Sequence, residues 1–415
     1  MSKYKILSLD GGGSWAMIQI KALQVLYGAD AKGHEVLKDF DLVIANSGGS
    51  IAMAAMLKNL PLSYILTNYY LKSAVLKTIF VELPFFNLGK LLNKFGAGPK
   101  YSAAKKLPGF KKLLDDVSMG NGALALGNTP VVELPKLFGG KTNFVIMAFD
   151  YDSRKEVFFR SNVASKAQSS GSVGVFSSVT LAEAIHASSN APIQFFDAPA
   201  MFTINGVMRN FWDGAMGGYN NPVAAGVIEA LSVGVKTSDI CVLSIGTGNT
   251  MLPVKNTTTR SAVSNDLYRE IKKPGLLNDI AEEGTCIVDD PPDAASFIAY
   301  GLLGNIPAAN DAGRNIVRLN PLVQPVIDNA GLWNYPTYNA PDGSPKINPI
   351  EFVKLVNMDL AAIEQDQVEL INKLGDAWIK DEVNNQGIRH NPDTTIDIGY
   401  GKFTEAIAAW KRCNQ

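Results

Sequence analysis

The run Asp41-Leu-Val-Ile-Ala-Asn-Ser47-Gly-Gly-Ser50 constrains the fold more than any other segment of the chain. A short apolar stretch, suited to a buried strand, ends at one hydroxyl residue between small neighbours. An Ala/Met/Leu-rich helix is expected from about Ile51. A serine at so sharp a strand-to-helix turn presents its Oγ at the edge of a sheet, where α/β serine hydrolases place a nucleophile. Ala45, two residues before Ser47, and Gly49, two residues after it, let such an elbow close without a clash. The usual form is G-x-S-x-G, and the single methyl of Ala45 at its first position is expected to be tolerated.

Apolar strands are also expected over residues 4–9, 143–149 and 241–245, with helices after the first and over 181–187. Strands alternating with helices define an α/β class with a mostly parallel sheet, whose ligands bind at the carboxyl ends of the strands. Gly11–Gly13 and Ser47 both follow strand ends and so share that edge. Residues 260–300 and 350–415 read as mainly helical, with one long amphipathic helix from Glu351 to Trp378 broken at Gly375. Residues 303–350, rich in Pro, Asn and Gly, read as irregular. With no linker, the expectation is one continuous domain: a catalytic core over 1–260 and a mainly helical extension over 261–415 packed on it.

Composition excludes several classes. A formal net charge of −1 over 415 residues gives no general attraction to nucleic acid. Cys241, Cys286 and Cys413 show no paired or metal-like spacing, which argues against a disulfide framework and a zinc site. The first residues enter a strand without a signal-like apolar segment, and no apolar run spans a membrane. The expected location is the cytoplasm, with peripheral membrane contact and leaderless secretion left open.

Three constellations carry chemistry. Gly11, Gly12 and Gly13 directly follow a strand and expose backbone N–H groups that stabilise an anion, which in acyl transfer is the tetrahedral oxyanion. The same residues with Ala16 fit a G-x-G-x-x-G/A phosphate loop, but Asp30 lacks the second strand that a dinucleotide fold needs to carry it. Asp213, in Phe211-Trp-Asp213-Gly-Ala215, is a candidate base beside apolar neighbours that raise its proton affinity, although Asp-Gly is also a common turn. Of the three histidines, His34 and His390 fall in polar loops, which leaves His186 as the one triad candidate. A Ser–Asp dyad therefore ranks above a triad.

Together these segments resemble the patatin-like phospholipases. The resemblance lies in Leu7-Ser-Leu-Asp10-Gly-Gly-Gly13, Phe40 through Ser47 to Gly49, Ala187-Ser-Ser-Asn-Ala-Pro-Ile-Gln-Phe195, Asp213-Gly-Ala215 with Asn220-Asn-Pro222, and Leu243-Ser-Ile-Gly-Thr-Gly248. It covers roughly residues 4–250 in order and spacing. It implies a three-layer patatin-like α/β fold and a hydrolase of phospholipids or other lipid esters. Ser47 would be the nucleophile, Asp213 the base and Gly11–Gly13 the oxyanion hole, with no metal or organic cofactor. Many members carry Arg or Lys where Trp15 stands here, so a non-catalytic lipid-binding or regulatory relative is the alternative, and a nucleotide-binding protein a weaker one.

Residues 72–112 carry nine lysines against one acid, Glu82, interleaved with aromatic and aliphatic residues. This suits an anionic lipid surface, with Lys90, Lys94, Lys105 and Lys106 as candidate contacts, and equally suits core-packed helices with solvated lysines. No nucleic-acid motif accompanies the run.

Overall fold

The computed structural model describes residues 3–84, 98–118, 122–162, 176–254, 262–269, 275, 291–304, 315–336, 338–339, 345–391 and 396–413. One sheet holds β1 (Tyr4–Leu9), β2 (Leu42–Ala45), β3 (Asn143–Asp150), β4 (Lys155–Arg160), β5 (Ala200–Ile204), β6 (Val207–Asp213), β7 (Ile240–Ile245) and, beyond the short β8 (Asn249–Thr250), β9 (Ile316–Leu319). Strands β3, β2, β1, β7 and β9 run parallel in that order. The helices are α1 (Met17–Tyr27), α2 (Gly33–Leu37), α3 (Ser47–Leu57), α4 (Leu62–Ile65), α5 (Ser73–Ile79), α6 (Ala103–Asp115), α7 (Leu181–Ser188), α8 (Val223–Ser232), α9 (Pro291–Leu302), α10 (Pro349–Val356), α11 (Gln365–Trp378) and α12 (Phe403–Cys413).

Parallel strands covered on both faces read as continuous apolar runs, and every residue of β2 and β7 is buried. Alternate side chains go to opposite layers. Leu7, Val43 and Phe144 pack with α1, α3 and α4. Ile6, Ile44 and Val145 pack with Val223 and Val227 of α8 and Ala299 of α9. This is the three-layer α/β arrangement, with a mostly parallel sheet in the middle.

The register on β3 brings the site together. Strand β4 lies along residues 145–150 of β3 and so occupies one edge. On the other edge, β2 pairs up to Ala45↔Ile146 and the antiparallel β6 takes over at Asp213↔Ala148. Strands β2 and β6 thus meet end to end, and the chain leaves them at Asn46 and Gly214.

Three expectations are corrected. The stretch 303–350 contains β9, a fully buried strand of the central sheet. Its one charged residue, Arg318, breaks an apolar signal that is otherwise that of a core strand. The long helix over 351–378 is two helices, each opened by a capping box, at Asn348/Glu351 and at Glu364/Gln367. Gly375 lies inside α11 against the Lys21 side chain rather than at a break. Cys241 of β7 and Cys413 of α12 are bonded, their Cα atoms 6.3 Å apart, because α12 returns to the sheet 172 residues later.

Candidate active site

Ser47 has φ +47°, a left-handed backbone conformation costly for a residue with a side chain. Such strain at a strand end is the signature of a nucleophile elbow. Asn46 precedes it in extended conformation, and the turn is fixed by the Ser47 amide donating to Ser188 Oγ at 2.9 Å and Ser50 Oγ donating to the Ser47 carbonyl at 2.6 Å. A Cβ on Gly48 would stand 2.6 Å from the Gly13 amide nitrogen, and one on Gly49 2.7 Å from the Asp10 carbonyl. Both glycines let the β1–α1 loop press against the elbow. Ala45 needs no such freedom, since it closes β2 in register with Leu9 and Ile146.

Asp213 is buried at the end of β6. Its Oδ1 accepts from Asn46 Nδ2 and from the Ala215 amide, both at 2.9 Å. Burial raises its carboxyl above the usual range. The Ala215 amide, the Ser47 hydroxyl and Asn46, then the Lys106 charge, act against that rise. The adjacent backbone is held by the Asp213 amide donating to the Asn190 carbonyl at 3.1 Å. The structure therefore brings Ser47, Asn46 and Asp213 into one cluster.

The glycine loop is anchored from three sides. The Gly11 amide donates to the Asn220 carbonyl at 2.8 Å, and Thr247 Oγ1 donates to the Gly11 carbonyl at 2.7 Å. Of the three glycine N–H groups expected to line an anion hole, Gly11 is thus committed inside the protein. The N–H groups of Gly12 and Gly13 make no hydrogen bond among the described residues. Beyond the loop, the Ser14 amide and hydroxyl both donate to the Leu360 carbonyl at 3.1 Å, and Trp15 Nε1 donates to the Asp359 carbonyl at 3.1 Å. Trp15 anchors the loop to the segment between α10 and α11.

Behind the loop, Asp10 and Arg318 form a buried ion pair, Nη2 to Oδ2 at 2.5 Å, and Arg318 Nη1 donates to Ser244 Oγ at 2.8 Å. Burial pushes the Asp10 carboxyl up to about 6 although Arg318 opposes it. A small polar cleft borders this pair and Gly11–Gly12, with Asn320 and Gln386 in its wall, and its lining includes neither Ser47 nor Asp213.

His186 is buried on α7, its imidazole pushed well below the ordinary range by burial and then by Lys106. It makes no hydrogen bond to Ser47 or Asp213, and its Nδ1 has no partner. His34 bonds the Leu57 carbonyl at 2.8 Å, away from the cluster. Asp30 follows α1 in a turn that leads into α2, so the dinucleotide pattern lacks its strand.

The lysine expectation divides. Lys90 and Lys94 lie outside the described residues. Lys105 is exposed. Lys106 is wholly buried and cannot touch a membrane, because Ala103, Lys106, Phe110 and Leu113 fall on one inward face of α6. That spacing was the signal that could have found it. Sequence reasoning also missed Asn46, Ser188, Asn220 and Thr247 as positioning groups. All four stand in or beside the segments that carry the resemblance, so only their contacts were hidden.

An elbow serine, a buried carboxylate and two backbone N–H groups without a partner among the described residues thus stand at one edge of the sheet. The family profile described as patatin-like phospholipase matches residues 7–227, more than half of the chain, and the protein belongs to that family. Membership supports a lipase or phospholipase function. Among solved structures, VipD from Legionella pneumophila is similar at 11% identity and a TM-score of 0.33, over 99% of this chain and 75% of that one. The type III effector protein ExoU is similar at 16% identity and a TM-score of 0.22, over 46% and 39%. The comparison with curated proteins returns no significant match.

Proposed function

We propose that the protein is a phospholipase A-type carboxylic-ester hydrolase working through a Ser47–Asp213 dyad. The observation that carries this reading is the left-handed Ser47 at the end of β2, facing the end of β6 where Asp213 stands. The Asn46 and Ala215 donors both use Oδ1 of Asp213, which leaves Oδ2 for the serine proton. Ser47 Oγ attacks the ester carbonyl as Asp213 takes its proton. The Gly12 and Gly13 N–H groups receive the oxyanion, aided by the positive end of α3. The tetrahedral species collapses and expels the alcohol, which leaves with the proton from Asp213. Water then attacks the acyl-enzyme, giving a proton to Asp213 that returns to Ser47 as the fatty acid departs. Substrates are phospholipids or related lipid esters. Contact with a membrane surface is peripheral, with Lys105 on the exposed side of α6 as a candidate contact.

A fluorophosphonate should label the folded protein at Ser47, and Ser47→Ala should lose both labelling and hydrolysis across a panel of phospholipids, lysophospholipids and glycerides. The loss in kcat should exceed about a thousandfold. Absence of a Ser47 adduct on folded protein would sink the enzyme and leave a non-catalytic lipid-binding relative.

A further inference from the structure

Lysine is almost never fully buried unless its ammonium is partnered. Lys106 is wholly buried, and its direct partners are uncharged. Its Nζ donates to the Ser189 carbonyl and stands 3.9 Å from the Phe196 ring centroid and 5.8 Å from that of Phe110. A carbonyl dipole and ring faces attract an ammonium but supply no counter-charge. Ser189 and Phe196 belong to the segment between α7 and β5, and the Asn190 carbonyl in that segment holds the Asp213 amide. Burial pushes the Lys106 ammonium well below its ordinary range and Asp213 is the anion that acts against that fall, while Lys106 is the only cation acting on Asp213 among the described residues. The remaining groups around Asp213 are uncharged: Asn46 and Ser47 from the elbow and the Ala215 amide from its own turn. From α7, His186 faces the same ammonium and is held neutral by burial and by that charge.

We propose that Lys106 is a positioning residue for the dyad: its amine, fixed by the Ser189 carbonyl and the Phe196 ring beside the Asn190 carbonyl that holds Asp213, pairs with the Asp213 carboxyl so that each favours the charged form of the other in a dry site. This rests on the Ser47–Asp213 reading. An aspartate already protonated cannot take the serine proton, so losing the cation weakens the base first at the acidic end of the working range.

Two measurements separate this role from packing. The first is the pH profile of kcat/KM on a soluble short-chain ester for wild type, Lys106→Met and Lys106→Arg. Lys106→Met should move the acidic limb upward, each unit of movement being tenfold at a fixed acidic pH. Lys106→Arg should keep the limb near its wild-type position. A folded Lys106→Met protein with an unmoved limb overturns the proposal. The second is a stability cycle with Lys106→Met, Asp213→Asn and the double variant. Each single change strands a buried charge, so the double variant should melt above either single one. Additive losses overturn the proposal. If Lys106→Met alone does not fold, the double variant should, and its failure to fold also overturns it. Wild type inactive on every ester, or as active as Ser47→Ala, would instead remove the dyad, and the stability cycle would still judge the pair.

Discussion

Asp10 and Asp213 are both buried at carboxyl-end positions of the central sheet, yet they are partnered in opposite ways. Asp10 is gripped by Arg318, a guanidinium that reaches across from β9 and never gives up its charge. Asp213 is bonded directly only by neutral groups, with its one cation set back on α6. Burial raises the carboxyl of each. The difference teaches how one site separates structure from chemistry. A carboxylate in direct contact with arginine is committed to holding a loop, whereas one cradled by amides keeps an oxygen and a proton affinity to spend on a reaction.

The comparison breaks most visibly at Asp213. On the proposed dyad, Asp213→Asn should lower kcat by about a thousandfold or more while the protein stays folded, since the proposed base is gone and the shape remains. Asp10→Asn should act chiefly on stability and on the poise of the glycine loop. If Asp10→Asn were as damaging to kcat as Asp213→Asn in equally stable proteins, the two carboxylates would not divide the work as described.

Arg318→Met should cost about 3–5 kcal/mol by urea unfolding, because it leaves Asp10 buried and uncompensated. Adding Asp10→Asn should recover much of that loss. A smaller effect comes from pH. The folded-state carboxyl of Asp10 lies at about 6, above its unfolded value of about 3.9. The native state therefore holds the proton more tightly. The contribution of this group to stability is fully present below the unfolded value and is lost as pH rises through about 6. Relative to Asp10→Asn, wild type should lose unfolding free energy across that interval, and a flat difference would count against the shift. Cys413→Ser should lower unfolding free energy by about 2–4 kcal/mol under oxidising conditions, as the bond to Cys241 closes a long loop, and should have no effect under strong reductant.

Much of the forward half of this site was legible in the sequence. The Leu42–Ala45 run, the small residues around Ser47 and the glycine triplet are local patterns, and local patterns survive without coordinates. Whether Asp213 belonged with Ser47 rested on order and likeness, because the pairing is made by the register of two strands on β3, which no spacing records. Arg318 was illegible because it is a charge inside an apolar strand, and Lys106 was legible only as one of several lysines of an amphipathic helix, its inward position marked by the spacing of Ala103, Phe110 and Leu113. The Cys241–Cys413 bond hid because α12 returns to the sheet over a distance that sequence separation does not measure.

The abutment of β2 and β6 on one edge of β3 makes that strand a gauge for the spacing of Ser47 and Asp213. The strands that carry Ser47 and Asp213 are each referenced to it, at Ile146 and Ala148, two residues apart on a single extended backbone. A twist of the sheet carries both ends together, so the separation of Ser47 and Asp213 follows the sheet rather than the helical layers packed on it.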